Sequence, residues 1–280
     1  MASDASPAPD LQNAALLIAA HGSPSSRGGR TSTRKLVQSI SKLNIFAEVA
    51  AGFLTEEPFA VDVLRDLNAP DIYVVPNMTA NGYITSHKLP QALSLTGPVT
   101  EQIGPHGHRR VLLSEPTGTH PLVSRIMANR IKGVMDLLAI NMADAALVVV
   151  GHGSTKSRAS FVRTEEISSE LHAFGLNIAT HTAYLEEAPF VKDWQDLSDA
   201  ETIVFAPFLI SDGFHASQDI PQAIGFDPND KIFQDTLSQG MVNETTKDGR
   251  RIVYIPPVGD EPDMVDIVLA RVRHVRDATV

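Results

Sequence analysis

The chain has 280 residues, 43% hydrophobic and 20% charged, enough apolar material for two modest cores or one large one. Its 33 acidic residues outnumber 23 basic ones, and the net charge of −10 argues against a nucleic-acid binder or a basic membrane-surface protein. Cysteine is absent, which excludes disulfides, thiolate zinc sites, iron–sulfur ligation and a cysteine nucleophile; any metal chemistry falls to His, Asp and Glu.

Residues 1–12, rich in Ser, Ala, Asp and Pro, read as a loose arm. They have neither the basic start nor the apolar centre of an export signal, and no apolar run reaches the ~18 residues that a membrane span needs. A cytoplasmic location is expected. Residues 15–20 form a short continuous apolar run, the pattern of a strand buried on both faces of a parallel sheet. A loop beginning His21-Gly22-Ser23 follows, then a helical stretch over 33–43. A second strand precedes Phe59, Val63 and Leu67 at helical spacing, with Pro58 suited to a helix's first turn. Residues 71–75 and 110–113 give the third and fourth strands, and the fourth leads into a helix entered at Pro121.

The same series then recurs. AALLIAAHGSPSSR from Ala14 returns as AALVVVGHGSTKSR from Ala145, at an offset of 131 residues. That offset carries Pro58-Phe59 onto Pro189-Phe190, Pro76 onto Pro207, Gly82 onto Gly213 and Pro90 onto Pro221 without a gap. RRVLLSEPTGTHP from Arg109 pairs with RRIVYIPPVGDEP from Arg250 at an offset of 141, which places about ten extra residues in 225–249. The second copy thus has strands at 146–150, 202–206 and 251–255, helices at 161–174 and around Phe190, Trp194 and Leu197, and a last helix entered at Pro262. The organisation expected is an arm (1–12) and two tandem copies of one domain (13–142 and 143–280). Each copy is an α/β unit, Rossmann-like, with a parallel sheet covered by helices on both faces.

Ligands bind such sheets at the carboxyl ends of the strands. His21 and His152 directly follow the first strand of each copy, Leu185-Glu186 follows the second strand of the later copy, and Gly213-Phe214-His215 follows its third. His152, Glu186 and His215 are therefore expected to converge at one sheet edge. Two imidazoles and a carboxylate can bind a divalent first-row cation, or act as acid–base groups, since an unperturbed His titrates near ~6.5. Arg27 and Arg158, equivalent between copies, are either plain surface charges or ligands for acidic groups. Ser23 and Ser154 lack the G-x-S-x-G elbow, and no strand is followed by G-x-G-x-x-G, so neither a serine nucleophile nor a dinucleotide site is expected. His106, His108 and His120 make a histidine-rich stretch of the first half that could load metal, whereas His172 and His274 sit on predicted helices as surface residues.

The strand-HGS junction, AYLEEAPF over 183–190 and APFLISDGFHASQDIP over 206–221 together resemble the CbiX/SirB group of sirohydrochlorin chelatases, class II ATP-independent enzymes related to the cobaltochelatase CbiK and to protoporphyrin ferrochelatase. The resemblance covers both copies, as in the long two-domain form. It implies two similar α/β lobes with the macrocycle in the cleft between them. It implies metal insertion into a tetrapyrrole, as a lyase-class activity of cobalamin or sirohaem synthesis, with Co²⁺ the first expectation, Fe²⁺ the next and Ni²⁺ close behind. No cofactor is permanently bound; the metal is a substrate. The family's histidine, glutamate and histidine map onto His152, Glu186 and His215, as metal ligands and catalytic groups. Arg158, Ser154, Gly213, His21 and Arg27 are expected to hold the macrocycle, with Lys156 and Lys88 as further cations for its carboxylates. The first copy departs from the pattern: Thr55 stands at the place of Glu186 and Ile84 at that of His215, while His87 lies three residues on, opposite Gln218. The second lobe is thus expected to carry the chemistry. Partners are the tetrapyrrole and the metal ion, without nucleic acid or membrane, in a monomer or homodimer. The alternative is a two-lobed tetrapyrrole- or metal-binding protein that does not turn over.

Overall fold

The apolar run at 14–20 alternates its side chains between two cores. Leu16 and Ile18 of β1 (Ala14–Ala20) face a core that both halves share, while Ala15, Leu17 and Ala19 face an outer one. This two-sided burial is why the strand shows no polar alternation. In this computed structural model, which describes residues 11–22, 31–105, 107–210 and 213–279, the first half continues through α1 (Thr31–Ser41), β2 (Glu48–Phe53), α2 (Ala60–Asp66), β3 (Asp71–Pro76), α3 (Leu89–Ala92), β4 (Val99–Gly104), β5 (Gly107–Leu113) and α4 (Leu122–Leu137). The second half repeats it as β6 (Ala145–Gly151), α5 (Ala159–Ala173), β7 (Ala179–Tyr184), β8 (Thr202–Pro207), α6 (Ile220–Ile224), α7 (Lys231–Ser238), β9 (Asn243–Lys247), β10 (Arg250–Tyr254) and α8 (Met264–Asp277). Each half forms a five-stranded sheet, in the orders β2-β1-β3-β5-β4 and β7-β6-β8-β10-β9.

The sequence reading had a wholly parallel sheet of four strands. The structure adds an antiparallel edge strand to each, β4 on β5 and β9 on β10. Their alternating polar sequences, VTEQIG and NETTK, suit an edge with one face toward solvent. The ten-residue insertion contains α7, whose Phe233 and Leu237 extend the outer core of the second sheet. Pro58 and Pro189 do not open helices as expected. Each follows a cis peptide bond, and their carbonyls accept the amides of Phe53 and Tyr184 at 2.9 Å, closing the ends of β2 and β7. Around Trp194 the chain makes 3₁₀ turns (Val191–Asp196) in place of an α-helix.

The two copies are not packed side by side as closed units. α8, last in the chain, packs on β3 and β5 of the first sheet. Its Arg271 donates from Nε to the Pro116 carbonyl at 3.2 Å and from Nη2 to Thr119 Oγ1 at 2.6 Å. α4 reciprocates: it packs on α5 and on the turn Val258–Asp260, and its Arg130 pairs with Glu261 at 3.2 Å and donates to the Gly240 carbonyl. Arg130 and Arg271 are equivalent at the 141 offset. The central core mixes β1, β3, α1 and α4 with β6, β8, α5 and α8. Leu11 is buried in it, although it falls within the stretch expected to be a loose arm. Among the described residues no helix is long and apolar enough to cross a membrane.

Candidate active site

The carboxyl ends of β1 and β6 open onto one cavity of about 370 Å³ between the two sheets. The first half lines it with His21, Asn77, Thr79 and Ile84, the second with His152, Ser154, Lys156 and His215, among others.

Each strand-end histidine is followed by a glycine in the left-handed backbone region, which other residues seldom adopt. Gly22 has φ +83° and Gly153 φ +72°. The turn folds each carbonyl back, and His21 and His152 each donate Nδ1–H to it at 2.9 Å. A carbonyl only accepts, so Nδ1 carries a proton in each ring, and in the neutral imidazole the lone pair is on Nε2. The His152 carbonyl accepts the amides of Leu185 and Glu186 at 3.2 and 3.1 Å, which ties the end of β6 to the end of β7. Glu187 accepts the Ser154 amide at 2.9 Å and holds the HGS loop down. Beneath it, burial and the adjacent Glu165 raise the Tyr184 hydroxyl pKa far above its ordinary value, and the protonated group donates to Glu165 at 2.5 Å.

His215 opens a π-helical turn (His215–Asp219), a local widening of the helix common at functional sites. The buried Tyr254 hydroxyl pins this turn by donating to the Ala216 carbonyl at 2.7 Å. The His152 and His215 rings meet edge to face, 4.8 Å apart at 86°. His215 donates Nδ1–H to Asp219 Oδ2 at 2.6 Å, which again leaves Nε2 free.

The structure therefore brings His152, His215, His21, Ser154 and Gly213 to one cavity. Glu186 does not line it; its carboxylate comes within 4.0 Å of His152 Nδ1, the nitrogen already turned to the backbone. Among the described residues no set of three or more His, Asp or Glu stands ready to hold a metal ion, so no three-ligand site is preformed. Arg158 does not line the cavity either: its guanidinium lies over the Phe161 ring, 4.1 Å from the centroid, whereas Lys156 does line it. Arg27 lies outside the described residues, as do Ser23 and His106. His108 is exposed near the start of β5 and His120 lies beyond that strand's far end, so these two do not cluster. In the first half, the Thr55 hydroxyl donates to the His21 carbonyl at 2.9 Å, and Ile84 opens the turn that His215 opens in the second. Sequence reasoning gave no role to Asp219. Its signal was present, as a carboxylate four residues after a strand-end histidine at the start of a helix.

A model of the CbiX family matches the chain twice, over residues 15–134 and 146–275. The chain belongs to the CbiX family. A Halobacterium salinarum protein named "Probable sirohydrochlorin cobaltochelatase" is 29% identical over 270 residues, which span 92% of this chain and 90% of the relative. Among solved structures, Deinococcus radiodurans DR2241, described as a multi-domain protein with structural similarity to chelatases and two additional novel domains, aligns with a TM-score of 0.69 at 23% identity. That alignment covers 93% of this CbiX-family chain and 54% of DR2241, so the chain spans about half of that protein. CbiX, described as the terminal enzyme for biosynthesis of siroheme in denitrifying bacteria, aligns with a TM-score of 0.65 at 23% identity, covering 92% of this chain and 98% of its own. At these identities the two structures establish a shared fold.

Proposed function

We propose that this CbiX-family chain is a sirohydrochlorin chelatase that inserts a divalent metal into the macrocycle without ATP, with Co²⁺ as its metal. The observation that carries the reading is the pair of imidazoles at 4.8 Å, each with Nδ1–H tied down and Nε2 free, in a cavity built by both lobes. Metal insertion exchanges one hydrated M²⁺ for the two inner N–H protons of the ring. Neutral imidazole nitrogens can coordinate a first-row cation or accept those protons, and they hold the cation less tightly than thiolates would, so it can be passed on. His152 and His215 are assigned these tasks. Glu186, beside His152, offsets positive charge and relays protons to solvent, and completes the ligand set once its side chain turns inward. Ser154, Gly213 and His21 contact the macrocycle. Lys156 is the cation best placed for its carboxylates, and Arg158 serves that role only on leaving Phe161. Cobalt is favoured because the relative matching nearly the whole chain bears that metal in its name. Iron, the metal of siroheme, is the competing choice.

The test is the absorption change of sirohydrochlorin on incubation with the purified protein and Co²⁺, Fe²⁺ or Ni²⁺, against each uncatalysed rate. Acceleration with Co²⁺ that is lost in His215→Ala supports the reading, and wild-type rates in that variant overturn the site. The lack of a preformed three-donor set among the described residues favours a second reading, a tetrapyrrole-binding protein without turnover. Stoichiometric binding with no product would select it.

A further inference from the structure

The two halves carry the same backbone device with different contents. A π-helical turn follows the third strand in each, Ile84–Lys88 in the first half and His215–Asp219 in the second. The residue ahead of the turn is aromatic and exposed in both, Tyr83 at 52% and Phe214 at 43%. Within the turn only the serine, Ser86 or Ser217, is kept. Ile84 replaces His215, His87 replaces Gln218, and Lys88 replaces Asp219, so an imidazole–carboxylate pair gives way to an apolar residue with two basic groups behind it.

These basic groups gather on the tyrosine. The His87 ring stacks on Tyr83 with centroids 5.3 Å apart at 22°, and Lys88 Nζ lies 5.9 Å from the Tyr83 centroid. Tyr83 keeps its 52% exposure with both contacts made, and it lines the same cavity as His152 and His215. Among the described residues Lys88 has no carboxylate partner. A large aromatic ring left open at a cavity mouth gives up burial that packing would have supplied, which is the mark of a surface that a flat ligand covers. The Lys88 cation beside it matches an acidic rim, in a protein whose overall charge of −10 would otherwise repel such a ligand.

We propose that Tyr83, His87 and Lys88 form a docking subsite for the tetrapyrrole: the Tyr83 ring contacts the macrocycle plane, and Lys88, with His87, pairs with a peripheral carboxylate. This rests on the chelatase reading and assigns the first lobe substrate binding in place of the metal chemistry it lacks. Of the two aromatic residues, Tyr83 lines the cavity and Phe214 does not, so the ring contact is assigned to the first lobe alone.

The experiment is a titration of metal-free sirohydrochlorin into the full-length protein, followed by ligand absorbance, with steady-state cobalt insertion on the same samples. Tyr83→Ala is expected to raise Kd and KM for the macrocycle about five- to tenfold, and Lys88→Glu about tenfold, the latter narrowing as salt is raised. Both losses should fall on KM, with kcat at saturating macrocycle retained, and Tyr83→Phe and Lys88→Arg should bind as the wild type does. Wild-type Kd values in Tyr83→Ala and Lys88→Glu, with a turning-over parent protein, would overturn the subsite and leave the chelatase reading standing. A loss confined to kcat would equally overturn it, as would a Tyr83→Phe variant as weak as Tyr83→Ala. A parent protein that neither binds nor metallates the macrocycle would remove the chelatase reading, and this one with it.

Discussion

Removing the Asp219 carboxylate probes the site through a group that does not itself line the cavity. Its Oδ2 accepts the His215 Nδ1–H at 2.6 Å, and the two side chains are 38% and 41% exposed. A hydrogen bond to an ionised acceptor contributes about 1.5–3 kcal/mol. With roughly two-fifths of each side chain in water, screening brings this to about 1–2 kcal/mol, which corresponds to about a five- to thirtyfold change in an equilibrium or rate constant. The physical content is tautomeric. While Asp219 holds the proton on Nδ1, the lone pair is on Nε2; once the acceptor is gone the ring can turn and the proton can move. Asp219→Ala is therefore expected to lower kcat/KM for Co²⁺ about tenfold, with the circular dichroism spectrum unchanged. Asp219→Asn keeps an acceptor without the charge and should fall between the two. Nitrogen-15 NMR of the labelled imidazole supplies the second readout, since the Nδ1–H form of His215 should dominate in the parent and give way in Asp219→Ala. An Asp219→Ala variant with parental kinetics and an unaltered tautomer would refute the argument.

His152→Ala should reduce cobalt insertion by about a hundredfold and His21→Ala by less than tenfold, because His21 lacks a carboxylate and a second imidazole at the equivalent positions; the reverse order in initial-rate assays would move the chemistry to the first lobe. Gly118→Ala and Gly259→Ala should each destabilise by about 3 kcal/mol, because a Cβ there would lie 2.3 Å from the Thr79 carbonyl oxygen or 2.0 Å from that of Ile210, both residues of the cavity wall; urea denaturation that shows no shift would contradict the packing. Glu170 gives a pH-dependent test. Burial raises its carboxyl pKa, but hydrogen bonds from Ser124 and Arg163 more than offset this, so the pKa lies below its ordinary value of 4.5. A depressed folded-state pKa contributes stability that is present above the ordinary value and lost as pH falls through the folded one. The melting-temperature advantage of the parent over Glu170→Gln should accordingly hold at pH 6 and decline progressively as pH falls below the ordinary value of 4.5; an advantage that does not decline at all on acidification would show that the charge is not what Arg163 and Ser124 hold.

Much of the fold is legible in the sequence because a strand buried on both faces is written as an unbroken apolar run, and a duplication is written as a fixed offset. Val148 and Val149 face different cores, yet both must be apolar, so AALVVVG marks a central strand without its neighbours being known. The edge strands carry no such mark. VTEQIG buries one side chain in six and alternates polar groups, a pattern that a loop shares. The three strand-end residues of the second lobe are legible for a topological reason: consecutive parallel strands of one sheet must end at the same edge, so His152, Glu186 and His215 come near one another whatever their rotamers. Rotamers decide the rest. Glu186 approaches His152 on the wrong nitrogen for shared coordination, Arg158 prefers an aromatic face to the cavity, and Asp219 reaches His215 from four residues on, across one helical turn.

Helix exchange is the feature furthest from the sequence. The apolar stripes of α4 and α8 specify that each must be covered, and two equivalent sheets offer equivalent cover. What selects the other half is the arginine each helix carries at the same register, Arg130 and Arg271, with carbonyls and an acceptor side chain waiting in the opposite copy. The consequence reaches the site. A cavity lined by both halves keeps its shape only if the halves cannot hinge freely, and two rigid α/β lobes joined by a single linker would hinge. Threading a helix of each lobe into the other, around one shared core, removes that freedom, so the imidazoles of one lobe and the Tyr83 wall of the other are held at fixed separation before any ligand arrives.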